Sequence, residues 1–169
     1  MARSDGFPPI ARLDATVLIL GSLPGQCSIN AGEYYAHPQN TFWKIMGSLY
    51  GIEGSYQERC AGLIEHRIAL WDVLASSVRP GSLDASIRTD TATVNDFGQF
   101  LVTHTNIRLI AFNGQKAQQL FKRIVNIDNV CRSIDFRALP STSPAYAAMP
   151  FSGKLAAWNT VLDATFEAD

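Results

Sequence analysis

A chain of 169 residues, 47% hydrophobic and 17% charged, has the length of one domain and can bury a core without disulfides or a metal, which excludes a disordered or fibrous class. Its formal net charge of -1 gives no whole-molecule attraction for polyanions, so nucleic-acid binding has to rest on a local basic face. No apolar run approaches the roughly 18 residues that cross a bilayer, and the opening MARSDGFPPIAR lacks a basic segment followed by a long apolar one, so a cytoplasmic protein outside the membrane is expected.

Residues 1–10 are expected to be loosely held ahead of a single domain over 11–169. Residues 15–20 (ATVLIL) form a short apolar run with β-branched members, the pattern of a strand buried on both faces of a parallel sheet. Gly21 stops it, and residues 21–39 are expected to stay irregular, well beyond the about 2 to 6 residues of an ordinary strand-to-helix connection. Apolar residues at Phe42, Ile45, Met46 and Leu49 then recur at helical spacing, with Asn40 as a candidate N-cap.

A second helix is expected over 55–66 and a second strand over 68–74 (IALWDVL). Arg79-Pro80-Gly81-Ser82 is a strong turn signal inside a surface loop expected over 75–90. A helix over 93–104 and a strand over 107–112 lead to Asn113-Gly114, and a helix over 115–125 follows. A fourth strand over 136–139 runs into Pro140-Ser141-Thr142-Ser143-Pro144, and a final helix covers 152–166. This alternation predicts a three-layer α/β/α sandwich around a mostly parallel four-stranded sheet, in which ligands bind beyond the carboxyl ends of the strands. Three segments follow directly on strand ends, at 21–40, 113–114 and 140–144, and are expected to converge on one crevice.

Gly21-Ser22-Leu23-Pro24-Gly25 lacks both the Walker ending and the three-glycine dinucleotide spacing. It reads either as a tight turn or as a backbone rim, with Ser22 and the next amides facing a ligand. Tyr35 and Phe42 place flat rings beside amides and hydroxyls, as a pocket for a heterocyclic base requires. Asn113 offers a donor and an acceptor at a strand end, and either braces a neighbouring loop or pairs with a ligand edge. The hydroxyls of residues 141–143 suit a phosphate backbone, or belong to an ordinary Ser/Pro turn. A Ser-His-Asp hydrolase drawn from Ser22, Ser143, His37 and Asp72 is disfavoured, because no predicted strand is followed by a nucleophile elbow. The three cysteines, Cys27, Cys60 and Cys131, are far apart and odd in number, giving neither a disulfide framework nor a metal-binding pair. They read as reduced structural thiols.

Taken in order, Gly21-Ser22-Leu23-Pro24-Gly25, His37-Pro38-Gln39-Asn40-Thr41-Phe42-Trp43, Leu70-Trp71-Asp72-Val73-Leu74 with Gly81-Ser82-Leu83-Asp84, Asn113-Gly114 and Leu139 to Pro144 resemble the uracil-DNA glycosylase superfamily. The resemblance is strongest to its hypoxanthine-DNA glycosylase branch, and the run from His37 to Trp43 is also similar to that of the mismatch-specific uracil-DNA glycosylases. It implies a uracil-DNA glycosylase-like fold, acting as a monomer without metal or cofactor, that flips a deaminated base out of DNA and hydrolyses its N-glycosidic bond. Hypoxanthine is the first expected substrate, with uracil and xanthine as further ones. The water-positioning Asn that mismatch-specific relatives carry in the glycine-rich loop is missing here, so the resemblance passes that role to Asn40, with Ser22 as its companion.

By the same resemblance, Phe42 stacks the base with Tyr35 as a second wall, while Gly21, Leu23 and Asn113 contact it. Ser141, Thr142, Ser143, Pro144 and Ala145 hold the DNA strand, with Pro144, Ala145 or Tyr146 near the gap in the stack. Lys116, Lys122, Arg79 and Lys154 are candidates for the basic face. Two other classes stay open: a non-catalytic module that binds damaged bases, and a hydrolase of free nucleosides or nucleotides.

Overall fold

A computed structural model describes residues 2–130 and 132–166. Its centre is a four-stranded sheet of β2 (Val17–Gly21), β3 (Ile68–Asp72), β6 (Leu109–Asn113) and β7 (Asp135–Leu139), ordered β3-β2-β6-β7 with every pairing parallel. All residues of β2, β3 and β6 are buried, which is why these strands read as unbroken apolar runs rather than alternating ones.

Successive side chains of a strand point to opposite faces, and two cores result. Leu18, Leu20, Ala69, Trp71, Ile110 and Phe112 pack on one face against α4 (Phe97–Thr103) and α5 (Gln115–Ile124), through Phe97, Leu101, Leu120 and Phe121. Val17, Ile19, Ile68, Leu70, Leu109 and Ala111 pack on the other against α2 (Phe42–Tyr50), α3 (Tyr56–Glu65) and α6 (Phe151–Phe166), through Phe42, Ile45, Met46, Leu63 and Trp158. The architecture is the expected α/β/α sandwich. Helix α3 begins at a capping box in which Ser55 and Glu58 satisfy each other's backbone amides, an arrangement that removes two orphan donors.

Four expectations are corrected. Residues 2–10 are tied down: β1 (Arg3–Asp5) pairs with β4 (Leu74–Val78), and Ile10 exchanges backbone hydrogen bonds with Leu70 on the edge of β3, shielding an edge that would otherwise be unpaired. The supposed surface loop over 75–90 contains most of β4 and the start of β5 (Arg88–Val94), which join β1 in a second, antiparallel sheet ordered β1-β4-β5. Polar residues on these strands hid them: the antiparallel ladder is a backbone one, and its side chains pair with one another, as where Arg3 donates to Ser76 and Thr93. The long connection after β2 is broken by a short helix, α1 (Gln26–Ala31). Helix α4 starts at Phe97, where the Asp96 side chain accepts from the Gln99 amide; of the residues expected to open it, Thr93 and Val94 belong to β5. Cys27 and Cys60 are free thiols, and Cys131 lies outside the described residues. Among those residues no helix is long and apolar enough to cross a membrane.

Candidate functional site

The chain passes from β2 to β3 on one side and returns to β6 on the other, so the strand order reverses between β2 and β6. Loops leaving adjacent strands in opposite directions open a crevice at such a switch point. A cavity of about 570 Å3 lies there, lined by residues from all three segments expected to converge, and also by Asp72, Arg79 and residues 82–85.

Thr142 is the hub of one wall. The Asn113 side chain accepts from its amide and donates to its hydroxyl, both at 2.9 Å, while the Thr142 carbonyl accepts from the Thr41 amide at 3.0 Å. Asn113 therefore braces the loop after β7, the first of its two sequence readings, and the Thr142 side chain that it holds is fully buried. Gly114 is required beside it: its φ is +95°, and a Cβ would lie 3.1 Å from that of Ser141. Ser141 and Ser143 accept from the amides of Ser143 and Ala145, which leaves their hydroxyl protons free to donate.

Asn40 lines the cavity, and its Oδ1 accepts from the Phe42 amide at 3.0 Å. The capping position belongs to Thr41, whose side chain makes no capping bond. Asn40 is thus a turn residue with a fixed carboxamide that keeps its Nδ2 hydrogens and one Oδ1 lone pair.

Phe42 does not reach the cavity. It is fully buried behind Tyr35, ring centroids 4.3 Å apart at 31°, and Tyr35 is the ring on the lining. The backbone of Tyr35 has φ +56°, a strained value for a bulky residue and one that recurs where a side chain has to be aimed. Its buried hydroxyl has no partner of hydrogen-bonding geometry, although Asn113 lies close enough to favour the ionised form slightly. Asn113's bonds to Thr142 account for this. Burial, then the charge of Asp72, pushes the Tyr35 phenol above its ordinary value.

The opposite wall carries charge that the sequence reading did not assign. Ser22 donates to Asp84 at 2.5 Å, and Arg79 approaches the same carboxylate oxygen at 3.6 Å. The Arg79 guanidinium also donates to the carbonyls of Leu23 and Pro24, fixing the glycine-rich loop from inside. Arg79 is buried, not part of a surface basic face, and burial pushes its guanidinium down while Asp84 and Asp72 push it back. Asp72 ends β3 with 4% exposure, and no partner reaches its Oδ2. Burial, reinforced by Asp84 and opposed by Arg79, pushes its carboxyl up to about 7. A Cβ on Gly21 would lie 2.5 Å from Asp72 Oδ1 and 2.9 Å from the Tyr35 hydroxyl, so only glycine leaves room for both groups over the strand end. The signal for Asp72 was present as the one ionisable residue in IALWDVL; its use could not be read.

Lys116 is half-buried on α5 and is not on the cavity lining. Lys154 is buried, reaching the Ser143 carbonyl at 3.5 Å and lying over the Tyr146 ring, so it stiffens the loop after β7. Ser22 is bonded to a carboxylate rather than to His37, which removes the Ser-His arrangement. Leu83 and Tyr146, 57% and 40% exposed, stand at the cavity from two different loops.

The chain matches the family model of the Uracil DNA glycosylase superfamily over residues 8–162. It is 38% identical over 118 residues to the hypoxanthine DNA glycosylase of Methanosarcina barkeri, covering 68% of this chain and 73% of that protein. It is likewise 38% identical over 115 residues to the hypoxanthine DNA glycosylase of Methanosarcina acetivorans, covering 66% of this chain and 72% of the relative. A candidate uracil DNA glycosylase from Methanosarcina acetivorans, solved by NMR in solution, superposes with a TM-score of 0.81 at 30% identity, over 98% of this chain and 99% of its own. With a match of that extent, a shared fold and a cavity at the strand-order reversal, this chain belongs to the uracil DNA glycosylase superfamily.

Proposed function

We propose that this protein excises deaminated bases from DNA, hypoxanthine foremost, by adding water to C1' of a nucleotide flipped into the cavity. Membership of the superfamily and the two hypoxanthine DNA glycosylase relatives make it a DNA glycosylase, a hydrolase of N-glycosyl bonds. The choice of base and the roles of single residues are our reading. The observation that carries it is the Asn40 carboxamide, fixed by the Phe42 amide on a residue that lines the cavity.

Breaking the C1'-N bond places positive charge on the sugar and negative charge on the base, so dipoles aligned beforehand suffice and no strong nucleophile is needed. Asn40 orients the water. The proton of the Ser22 hydroxyl is committed to Asp84, so Ser22 assists through its lone pairs. Tyr35 takes the stacking place that the sequence reading gave to Phe42, and Phe42 supports it from behind. Gly21 and Leu23 form the floor and rim, and the free hydroxyl protons of Ser141 and Ser143 meet phosphate, with Pro144 and Ala145 shaping that loop. Tyr146, with Leu83, fills the gap that flipping leaves. Flipping costs a few kcal/mol, least for a weakly paired lesion.

Base release from duplex and single-stranded oligonucleotides carrying hypoxanthine, xanthine, uracil or a thymine mismatch tests this reading. Hypoxanthine release fastest of the set is expected. Release of no base from any of them, or turnover of free inosine in preference to DNA, would overturn it.

A further inference from the structure

Asp72 has no part in the water-positioning scheme, yet it is a buried carboxyl group on the lining of the same cavity, with Oδ2 lacking any partner. Its surroundings are ill suited to a carboxylate. The charged groups that face it are Arg79 and Asp84, from the β4–β5 connection, and the phenols of Tyr34 and Tyr35, from the connection between α1 and α2. Arg79 spends its Nη2 on the Leu23 and Pro24 carbonyls and turns its Nη1 to Asp84, so no ion pair with Asp72 forms. Oδ1 lies over Gly21 at the end of β2, beside the Tyr35 hydroxyl. The carboxyl group thus sits where the strand ends meet the ring on which the base stacks.

We propose that Asp72 is a catalytic residue that, as a neutral carboxylic acid, donates a hydrogen bond to the base atom on which negative charge develops as the C1'-N bond lengthens. This inference rests on the DNA glycosylase reading of the cavity. Water supplies the new C1'-O bond and gives up one proton, which ends on the departing base; the bonding electrons leave with that base, and Asp72 keeps its own proton. A neutral acid in a dry site stabilises a developing anion strongly, whereas the ionised form would oppose it. With the carboxyl pushed up to about 7 by burial and by Asp84, the donor is complete in mildly acidic solution, partly present near neutrality and lost in alkali. Because only the protonated fraction acts, the rate falls about tenfold per pH unit above that value.

The experiment is single-turnover base release from hypoxanthine DNA between pH 5.5 and 9 (about the range in which such a group titrates), with Asp72→Asn, Asp72→Leu and Asp84→Asn beside the unmodified protein. Asp72→Asn keeps a donor of nearly the same shape and is expected to remain active with the alkaline limb abolished. Asp72→Leu should lose about 100- to 1,000-fold. Asp84→Asn should move the limb to lower pH, because the charge that raises the carboxyl is gone. A limb unchanged in Asp72→Asn, an Asp72→Asn protein as inactive as Asp72→Leu, or an Asp72→Leu protein as fast as the unmodified one overturns the proposal. If the unmodified protein releases no base, the functional reading fails by itself. Binding of free hypoxanthine at pH 6 and pH 8 (about one unit either side of the titration) then still tests Asp72, with tighter binding at the lower pH expected only while the carboxyl is present, and equal binding overturning its role.

Discussion

The two walls of the cavity treat their polar groups in opposite ways. Around Thr142, the Asn113 carboxamide and the Thr142 amide, hydroxyl and carbonyl all have partners within the chain. Around Asp72, the Asp72 Oδ2, Tyr35 hydroxyl and Arg79 Nε are buried without partners. An unpaired buried polar group costs about 1–3 kcal/mol, so the second wall is expensive to keep and the first is not. The difference separates a wall whose polar groups are used up within the chain from one that keeps polar groups in reserve beside the cavity. Asn40 lies at the junction, bonded on one side to the Phe42 amide and open on the other.

The sharpest way to break this comparison is Asn40→Ala. It should lower single-turnover base release by about 100- to 1,000-fold, the usual loss for a positioned dipole, with affinity for hypoxanthine DNA nearly unchanged. Cleavage at the normal rate would remove Asn40 from the chemistry.

Asn113→Ala attacks the satisfied wall. It leaves the Thr142 amide and hydroxyl buried and unpaired, so a loss of about 2–4 kcal/mol in denaturant unfolding is expected. Base preference should be preserved in the folded fraction. Altered preference without lost stability would make Asn113 a reader instead of a brace.

The unsatisfied wall should show itself in stability against pH. The Asp72 carboxyl is raised in the folded protein, so its stabilising effect is complete below the ordinary carboxylate range and is lost as pH rises through about 7. Between about pH 4 and 7 this group makes stability fall with rising pH, and Asp72→Asn should flatten that slope in thermal melts. Asp14 and Glu58, lowered by hydrogen bonds to Arg12 and to the Ser55 backbone respectively, act in the opposite direction at lower pH.

Tyr35→Phe is the mildest change. It removes a hydroxyl without a partner and keeps the ring, so stability should stay the same or rise by about 1 kcal/mol. A marked loss of stability would show that the hydroxyl is satisfied after all.

The sequence by itself determined the central sheet and the place of the cavity. ATVLIL, IALWD and LIAF are continuous apolar runs because strands buried on both faces have no polar side to show, and the loops after strand ends are where open α/β sheets keep their crevice. Asn40 and the loop over 140–144 were legible for the same reason. The second sheet was not, since β5 reads RTDTATV with no continuous apolar run, and β1 at the start of the chain reaches its partner β4 only in the fold.

Local spacing also could not decide which aromatic ring faces the cavity. Tyr35 lies in front of Phe42 because the backbone takes a left-handed turn at Tyr35 and Phe42 enters a helix packed against the sheet. Asp72 is the clearest case of what tertiary structure alone decided. In the sequence it is one acid at the end of an apolar strand; in the fold, Gly21, Tyr35, Arg79 and Asp84 meet around it. A carboxyl group's protonation depends on what surrounds it in space, and those neighbours come from parts of the chain that only folding brings together.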